Sequence, residues 1–432
     1  MLIRPARAIK GEISLPGDKS ISHRAAIFAA MATGESRIEN FATSADCAST
    51  LKCLRQVGVE VRQEGPAVRI QGVGKSGFVE PAEPLDCGNS GTTMRLLAGV
   101  LAGQSFESVL TGDDSLQKRP MGRVIDPLTA MGASFESENN RAPLRVLGRN
   151  PLRAIEYQLP VASAQIKSCM LLAGLNSDGE TAVIEPVPTR DHTERMLRWF
   201  GVDVLETNLA GGKRISVTGT AQLTAADVVV PSDISSAAFF LVLALSLANS
   251  DLRIRNVGSN PTRAAIVETL RNLGADIRTS NERELNNEPM ADIHILGGMG
   301  QNSNPVIKGK VIANLVDELP ILAILGTQLQ NGLEVRDAAE LRVKETDRIA
   351  AVVENLRRMN ADVEEFDDGF RVGKSDLKGA RVDSFGDHRI AMAFAVAGLL
   401  ATEGETEIVG AESVDVSFPG FFEVLHDVVV YE

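Results

Sequence analysis

The stretch LPGDKSISHRAA, residues 15–26, joins a turn to an apolar helix, and the same design recurs along the chain. A Pro-Gly-Asp turn leads into small and apolar residues, with Asp18 placed to cap the helix that follows. The segment VVVPSDISSAAFFLVLALSLANS, which starts at Val228, repeats the order of strand, proline, aspartate and apolar helix. We therefore expect the two stretches to occupy equivalent places in a repeated architecture.

Four further segments share the helical part of this pattern. Each opens on Asp, Ser or Asn, the residues that cap helix N-termini, and most close on Gly. Small and apolar residues cover nearly all faces of these segments, so the helices should be buried all round. The intervals between them are about 70–85 residues, which indicates repeated supersecondary units. The six helices are predicted to begin near Lys19, Asn89, Ser163, Asp233, Asp317 and Asp387.

An amphipathic helix follows the buried helix in each unit, as in STLKCLRQVGVEV and RIAAVVENLRRMNADV. Each unit thus reads strand, buried helix, strand, exposed helix and strands, which makes the fold class α/β. The sixth copy starts near Asp387 and runs out of chain, and the N-terminal strand is expected to complete it. We therefore predict a continuous domain of residues 16–231 and a discontinuous domain of residues 1–15 and 232–432, with three units each.

Composition argues against several classes of protein. The formal net charge of −13 over 432 residues disfavours nucleic acid as the main partner. Four widely spaced cysteines without a CxxC motif are typical of reduced thiols in the cytoplasm. The N-terminal residues lack the apolar core of a secretory signal, and the longest apolar run, residues 237–248, is too short to cross a bilayer. We expect a cytoplasmic protein with neither a nucleic-acid nor a membrane partner.

Cations cluster near the predicted helix starts, where the helix dipole favours anions. In an acidic chain this placement suggests ligands with more than one anionic group, because helix N-termini, Arg and Lys all bind phosphate and carboxylate. The cations are Lys19, Arg24, Arg119, Arg190, Lys344, Arg348 and Arg389.

Small polar residues and carboxylates accompany these cations. GNSGTT, residues 88–93, resembles a loop whose backbone N–H groups approach an oxyanion, although no P-loop motif is present. Asp317 and Glu345 stand beside the cations, where a carboxylate would repel an anionic substrate, and this predicts a role in proton transfer. The histidines show no metal-ligand spacing, so we expect no metal site, and His23 and His388 are predicted to support the site.

These motifs resemble those of the 5-enolpyruvylshikimate-3-phosphate synthases, and GDKSISHR resembles the second bacterial class of that family. The resemblance implies an inverse α/β barrel, with two similar domains, each of three βαβαββ units, that close over the substrates. It implies transfer of the enolpyruvyl group of phosphoenolpyruvate to the 5-hydroxyl of shikimate 3-phosphate, through a tetrahedral intermediate and with release of phosphate, in aromatic amino acid biosynthesis. The matching segments are LPGDKSISHRA, GNSGTTMRLLAG, QKRPM, SAQIKSC, TRDHTERML, DELPIL, LRVKETDRI, GDHRIAMAFAVAG and SFPGF.

The resemblance also implies roles for individual residues. Asp317 would take the proton of the 5-hydroxyl, and Glu345, with Lys19, would protonate the methylene carbon. No cofactor or metal is implied, and we expect a monomer. The residues implied to bind shikimate 3-phosphate are Lys19, Ser20, Arg24, Ser163, Ala164, Gln165, Arg190, Asp317 and Lys344. Those implied to bind phosphoenolpyruvate are Lys19, Asn89, Gly91, Thr92, Arg119, Gln165, Arg348 and Arg389.

Two alternative functions stay open from the sequence. The sister transferase that acts on UDP-N-acetylglucosamine usually carries a catalytic cysteine on a loop before the arginine equivalent to Arg119, and LTGDDSLQKRP has none. A non-catalytic clamp that encircles DNA is also built of six αβ units, but it needs cations spread along the helices that line its ring. Here the cations gather at helix starts beside Asp317 and Glu345.

Overall fold

Helices and strands alternate along the computed structural model, which describes residues 1–298 and 305–431. Residues 299–304 and the last residue of the predicted discontinuous domain, residue 432, lie outside the described residues. The α-helices described are α1 (Lys19–Met31), α2 (Ala45–Gln56), α3 (Gly91–Ala102), α4 (Asp114–Lys118), α5 (Gly122–Ala130), α6 (Ala164–Gly174), α7 (His192–Trp199), α8 (Ile234–Ser246), α9 (Ala265–Asn272), α10 (Ile312–Leu315), α11 (Leu319–Gln328), α12 (Arg348–Arg358), α13 (His388–Leu399) and α14 (Phe421–Val428).

Short 3-10 helices cover Gly309–Val311, Ala339–Val343 and Ala411–Val416. The described strands are β1 (Leu2–Ile3), β2 (Ala8–Ser14), β3 (Thr33–Glu39), β4 (Glu60–Glu64), β5 (Ala67–Val73), β6 (Leu85–Asp86), β7 (Glu107–Thr111), β8 (Ser134–Glu138), β9 (Arg141–Leu147), β10 (Glu156–Gln158), β11 (Glu180–Glu185), β12 (Leu205–Leu209), β13 (Gly212–Thr218), β14 (Val228–Val229), β15 (Asp251–Gly258), β16 (Ile277–Leu285), β17 (Glu288–Leu296), β18 (Val306–Ile307), β19 (Leu333–Val335), β20 (Val363–Phe366), β21 (Gly369–Val372), β22 (Arg381–Asp383), β23 (Thr406–Val409) and β24 (Val429–Val430).

One sheet topology recurs and confirms the predicted α/β unit. In the sheet β6-β7-β9-β8, the buried helix α3 connects the parallel strands β6 and β7, and β8 and β9 form an antiparallel hairpin that returns to β7. The sheets β10-β11-β13-β12 and β18-β19-β21-β20 have the same order. In β14-β3-β5-β4 the first strand is supplied by a later part of the chain.

The N-terminal residues contribute to two different sheets. Strand β1 pairs antiparallel with β23 in the sheet β1-β23-β22, which is the sheet of the sixth unit. Strand β2 instead takes the first-strand position of the fourth unit, parallel to β15, in the sheet β16-β17-β15-β2-β24. The chain start is therefore divided between two units of the repeat.

The chain divides into two compact units, called unit 1 and unit 2, which are distinct from the six units of the repeat. Each has its own apolar core. Unit 1 comprises Met1–Pro16, Pro231–Arg283 and Pro289–Glu432, and unit 2 comprises Gly17–Val230 and Glu284–Glu288. The divisions at Pro16 and Val230 lie next to the boundaries expected from the sequence, whereas the segment Glu284–Glu288 was not expected in the continuous part. The domain assignment itself stays a prediction.

The buried helices are capped mostly as their sequences indicate. The carboxylate of Asp18 accepts a hydrogen bond of 2.9 Å from the backbone N–H of Ile21, and that of Asp387 caps α13 by accepting from the backbone N–H of Arg389 at 2.8 Å. At α3 the cap is Ser90 rather than the expected Asn89. The expectation that Asp317 caps a helix is wrong, because α11 follows a turn after α10 and has no side-chain cap. The carboxylate of Asp317 is therefore not committed to a helix N-terminus.

The length and composition of the apolar helices were compared with what a membrane-spanning helix needs. Within the described residues, no single helix has both the length and the apolar composition needed to cross a bilayer. The bent pair Gly309–Leu315 and Leu319–Gln328 meets that test only when its two parts are taken together.

Gly99 allows α3 and α6 to pack closely, and its replacement by Ala should destabilise unit 2. A Cβ atom at position 99 would lie 2.3 Å from the carbonyl oxygen of Cys169, so the two helices would have to separate. We expect Gly99→Ala to lower the free energy of unfolding by about 1–3 kcal/mol in urea titrations, the range for overpacked cores. The matched control is Gly122→Ala in α5, where the nearest atom would be 3.5 Å away and stability should hold or rise. Equal stabilities for both variants would contradict this account of the packing.

Candidate active site

Lys19 begins α1, and a carboxylate that was not expected from the sequence holds its ammonium group. The Nζ atom of Lys19 lies 2.8 Å from Oδ2 of Asp46, in the first turn of α2, and both side chains are largely buried. An acid in the first turn of a helix is ordinary, because it complements the dipole, so nothing in the sequence distinguished Asp46. The pair fixes the direction of the Lys19 side chain.

Arg24 lies one turn further along α1 and is almost fully buried. Its Nε atom donates to the hydroxyl of Thr193, its Nη2 atom to the hydroxyl of Ser168, both at 2.8 Å, and its Nη1 atom to the carbonyl of Ser20. Burial lowers the pKa of Arg24 to about 10, although the charge of Glu194 acts in the opposite direction. Thr193 and Ser168, which orient this guanidinium, were not expected from the sequence.

Arg190 lies close enough to Arg24 for its charge to contribute to lowering the pKa of Arg24. Two residues after Arg190, helix α7 begins at His192. Two like charges near each other in a largely buried region are favourable when an anion neutralises them.

Arg119 lies beside the loop that precedes α3. Its Nη2 atom donates to the side-chain carbonyl of Asn89 at 2.7 Å, and the amide of Asn89 donates to Asp113. A Cβ atom on Gly91 would lie 3.3 Å from Nη1 of Arg119, so the glycine leaves this approach open. Arg119 lies three residues before α5 begins at Gly122, so it precedes a helix start as the sequence predicted. It also follows the last residue of α4, where its charge agrees with the dipole of that helix.

Gln165 connects the first turns of α6 and α3. Its side-chain oxygen accepts from Nη1 of Arg95 at 2.5 Å, and its amide donates to the hydroxyl of Thr92 at 2.9 Å. Ser163 caps α6, and Ala164 is the first residue of that helix. Arg95, which fixes the orientation of Gln165, was not expected from the sequence.

Lys167 forms a buried ionic cluster behind the first turn of α6. Its Nζ atom lies 2.7 Å from Oε1 of Glu194 and 3.1 Å from Oε2 of Glu185, and the Glu185 carboxylate also accepts from Thr189. Burial alone would lower the pKa of Lys167, but the charges of Glu194 and Glu185 outweigh it and raise that pKa. The cluster joins α6, β11 and α7, which carry Gln165 and Thr193.

In unit 1, the guanidinium of Arg348 binds three carboxylates. Its Nε atom lies 2.7 Å from Oδ2 of Asp387, its Nη2 atom 2.7 Å from Oε2 of Glu345, and its Nη1 atom 3.4 Å from Oδ1 of Asp317. Burial acts to lower the pKa of Arg348, but these three charges raise it. The start of α12 is thereby tied to the cap of α13 and to the loop before α11.

The neighbouring acids Asp317 and Glu318 differ in their contacts and in their exposure. Arg389 lies 3.8 Å from Asp317 and 3.9 Å from Glu318. Glu318 is buried and accepts from Nη1 of Arg263 at 3.0 Å and from the hydroxyl of Ser235, whereas the side chain of Asp317 is 18% exposed. Asp317 is therefore the acid of this pair that a substrate reaches more easily.

Lys344 lies in the same group, and burial lowers its pKa while the charges of Asp317 and Glu340 act against that shift. The structure thus brings Asp317, Lys344, Glu345, Arg348 and Arg389 together in unit 1.

The carboxylate partners change one argument from the sequence. Lys19 and Arg348 were expected to require anionic ligands because they stand at helix starts, yet Asp46 and Asp387 already neutralise them within the protein. Their positions alone therefore do not identify a ligand. Across residues 1–298 and 305–431, no group of three or more His, Cys, Asp or Glu side chains is placed to hold a metal ion.

Comparisons with known proteins agree over almost the whole chain. Residues 3–425 match the family model described as EPSP synthase (3-phosphoshikimate 1-carboxyvinyltransferase). A protein of that transferase name from Pelotomaculum thermopropionicum is 52% identical over 431 residues, and one from Geobacter sp. strain M21 is 49% identical over 430, with at least 98% of each chain covered. The solved structure of EPSP synthase from Acinetobacter baumannii superposes with a TM-score of 0.86 at 43% identity, over 99% of this chain and 98% of that one.

The Lys167 cluster generates a prediction about stability and pH. Lys167→Met removes the cation that two buried carboxylates share, so we expect the free energy of unfolding near neutral pH to fall by about 3–5 kcal/mol. Burial already raises the pKa of Glu194, and loss of the Lys167 charge removes what opposes this shift, so the folded variant binds more protons than the unfolded one. The deficit should therefore shrink as the pH is lowered from about 7 toward 5.

The check is urea unfolding of the parent and the variant at several pH values. The control is Lys378→Met, which removes an exposed ion pair with Glu403 and should have little effect on stability at any pH. A deficit that does not change with pH would contradict the proposed cause.

Proposed function

The chain belongs to the EPSP synthase family, and on that premise we propose how its residues transfer the enolpyruvyl group of phosphoenolpyruvate to the 5-hydroxyl of shikimate 3-phosphate. The function and the fold class expected from the motifs are confirmed: the chain is an α/β transferase of the shikimate pathway. Neither the UDP-N-acetylglucosamine transferase nor the clamp is favoured by these relatives. The individual roles below are our proposal, and the sharing of Arg348 by Asp317 and Glu345 is the observation that carries it.

Unit 2 supplies binding groups for both substrates in this proposal. Arg24 and Arg190 are two cations close together, which suits a phosphate or carboxylate of shikimate 3-phosphate. Lys19 is assigned to both substrates, and Asp46 orients its ammonium group. The remaining residues assigned to shikimate 3-phosphate here are Ser20, Ser163, Ala164 and Gln165.

Phosphoenolpyruvate is assigned to the loop before α3 together with Arg119. The absence of a side chain at Gly91 permits an oxyanion to approach the first N–H groups of α3, which have no partner within the helix. Arg119 adds a guanidinium that Asn89 already orients. Thr92 and Gln165, hydrogen-bonded to each other, complete the set in unit 2.

The acid and base come from unit 1, where Lys344 is assigned to shikimate 3-phosphate and Arg348 and Arg389 to phosphoenolpyruvate. Arg348 and Arg389 stabilise the ionised form of Asp317, which is the form that accepts the proton of the 5-hydroxyl. Glu345, with Lys19, delivers a proton to the methylene carbon. Positive charge then develops at C2 of phosphoenolpyruvate, and nearby carboxylates stabilise it.

The two halves of the reaction balance. In the addition, the bond from the 5-oxygen to C2 forms, the hydroxyl proton passes to Asp317, and the methylene carbon gains the proton of Glu345. In the elimination, the bond from C2 to the phosphate oxygen breaks, and the new methyl group returns a proton to Glu345. Phosphate leaves together with the proton that Asp317 took from the hydroxyl, so both acids return to their starting state. Each acid–base group contributes roughly 10²–10⁴-fold to the rate.

Asp317→Asn tests the proposed base. The amide preserves shape but accepts no proton, so we expect kcat to fall by at least about 10²-fold while KM for each substrate changes little. Phosphate release from phosphoenolpyruvate and shikimate 3-phosphate measures the loss, with the exposed Asp376→Asn as control. Parental kcat in the Asp317→Asn enzyme would overturn the assignment.

The charge of Lys344 should make kcat/KM for shikimate 3-phosphate depend on pH. Burial lowers the pKa of Lys344. Its ammonium group therefore loses its charge at a lower pH than that of an ordinary lysine, whose pKa is about 10.4. Binding of the anionic shikimate 3-phosphate needs the charged form, so kcat/KM for this substrate should decline on the alkaline side and the decline should move to higher pH in Lys344→Arg. Identical pH profiles for the two enzymes would contradict the role.

We also propose that the enzyme is a monomer that works in the cytoplasm. The four cysteines Cys47, Cys53, Cys87 and Cys169 are unpaired thiols and buried, as suits a reducing compartment. Light scattering on the purified enzyme measures the assembly state, and cell fractionation measures the location.

A further inference from the structure

A row of buried neutral side chains connects α1 with the start of α3, behind the residues assigned to substrate. Nδ1 of His23 lies 2.7 Å from the hydroxyl oxygen of Thr50, which lies 2.7 Å from that of Thr93. The Thr93 hydroxyl in turn donates to Oγ of Ser90 at 2.8 Å. All four side chains are inaccessible to solvent.

The direction of each hydrogen bond in this row follows from counting protons. A hydroxyl group has one proton to donate, and that of Thr93 is directed to Ser90, with the carbonyl of Asp46 as a second acceptor at 3.4 Å. Thr50 must therefore donate to Thr93. The Thr50 oxygen is then free only to accept, so Nδ1 of His23 carries the proton.

His23 is thereby fixed as a neutral group of one tautomer. Its other nitrogen, Nε2, is buried with no hydrogen-bond partner among the described residues, so a proton there would be an unsatisfied buried donor. Burial, with Lys19 and Arg24 adding to it, lowers the pKa of His23 well below its usual value. His23 consequently holds one end of the row and does not exchange protons at neutral pH.

The other end of the row sets the position of α3. Ser90 is the N-cap of α3, and its oxygen also accepts from the backbone N–H of Thr93 at 3.1 Å. Next to Ser90 are Asn89 and Gly91, which are assigned to phosphoenolpyruvate. The contact of Thr93 with the Asp46 carbonyl joins the same row to the residue that holds Lys19.

We propose that His23, Thr50 and Thr93 are positioning residues for phosphoenolpyruvate. They hold the start of α3 at a fixed position relative to Lys19. The proposal rests on the function proposed above and assigns these residues no contact with substrate. A row of single hydrogen bonds with defined direction can do this because each member fixes both the distance and the orientation of the next. Loss of one hydroxyl should displace the cap at Ser90 and thereby the backbone at Gly91.

Thr50→Val and Thr93→Val test the row, since valine preserves the shape of threonine and removes the hydroxyl. We expect each to raise KM for phosphoenolpyruvate by about 3- to 10-fold, the effect of one lost hydrogen bond, and to alter KM for shikimate 3-phosphate much less. Thr50→Ser and Thr93→Ser retain the hydroxyl and should restore the parental KM.

The matched control is Thr181→Val, which removes an equally buried hydroxyl of β11 that donates to Ser177, outside the row. It should lose thermal stability to a similar extent as Thr50→Val without a change in KM for phosphoenolpyruvate. If the three valine variants share the same stability loss and the parental KM, the row is structural only and the proposal is overturned.

A second measurement does not depend on activity or on the folding of any variant. Nitrogen-15 NMR of the imidazoles in the parental enzyme should show His23 protonated at Nδ1 only, with no titration between about pH 5 and 8, whereas an ordinary histidine titrates there. A His23 resonance protonated at Nε2, or one that titrates, would contradict the hydrogen-bond directions. Absence of phosphate release by the parental enzyme would instead refute the proposed function, and the NMR result would still decide the row.

Discussion

The buried guanidinium of Arg348 is the interaction on which the acidic half of the site depends. Removing a guanidinium from water is costly, and here three carboxylates from different segments offset that cost. Asp387 is committed to capping α13, so the arrangement leaves Asp317 and Glu345 as the two acids whose positions Arg348 determines. One cation thus places a proposed base and a proposed acid at fixed positions relative to each other.

In unit 2, the cations assigned to substrate are positioned by fewer charged partners. The carboxylate of Asp46 holds Lys19, while neutral hydroxyls orient Arg24 and the row that starts at His23 consists of neutral groups. Neutral partners position a cation without cancelling its charge, which preserves its attraction for an anionic substrate. Charged partners suit the acids of unit 1, where ionised carboxylates are themselves the reacting groups.

Sequence patterns predicted the repeat well, because buried helices that are apolar on every face and strands that alternate are local signals. They failed where a role depends on a partner in another segment. Asp46, Thr193 and Arg263 each contact a side chain on another element, and no local pattern separates them from ordinary polar residues. The local sequence of Asp317 fits a helix cap, whereas Arg348, 31 residues away, determines its environment. The substrate roles of individual residues and the domain assignment stay predictions.

The account is tested most directly by the deuterium content of the enolpyruvyl group transferred in heavy water. Protonation of the methylene carbon makes a methyl group whose three hydrogens are equivalent, so the elimination can remove any of them. We predict that the methylene group of the product contains solvent deuterium when the parental enzyme turns over, and that Glu345→Gln slows deuterium incorporation and phosphate release together. If the parental enzyme releases phosphate at its normal rate in heavy water and the product contains no deuterium, the account is contradicted.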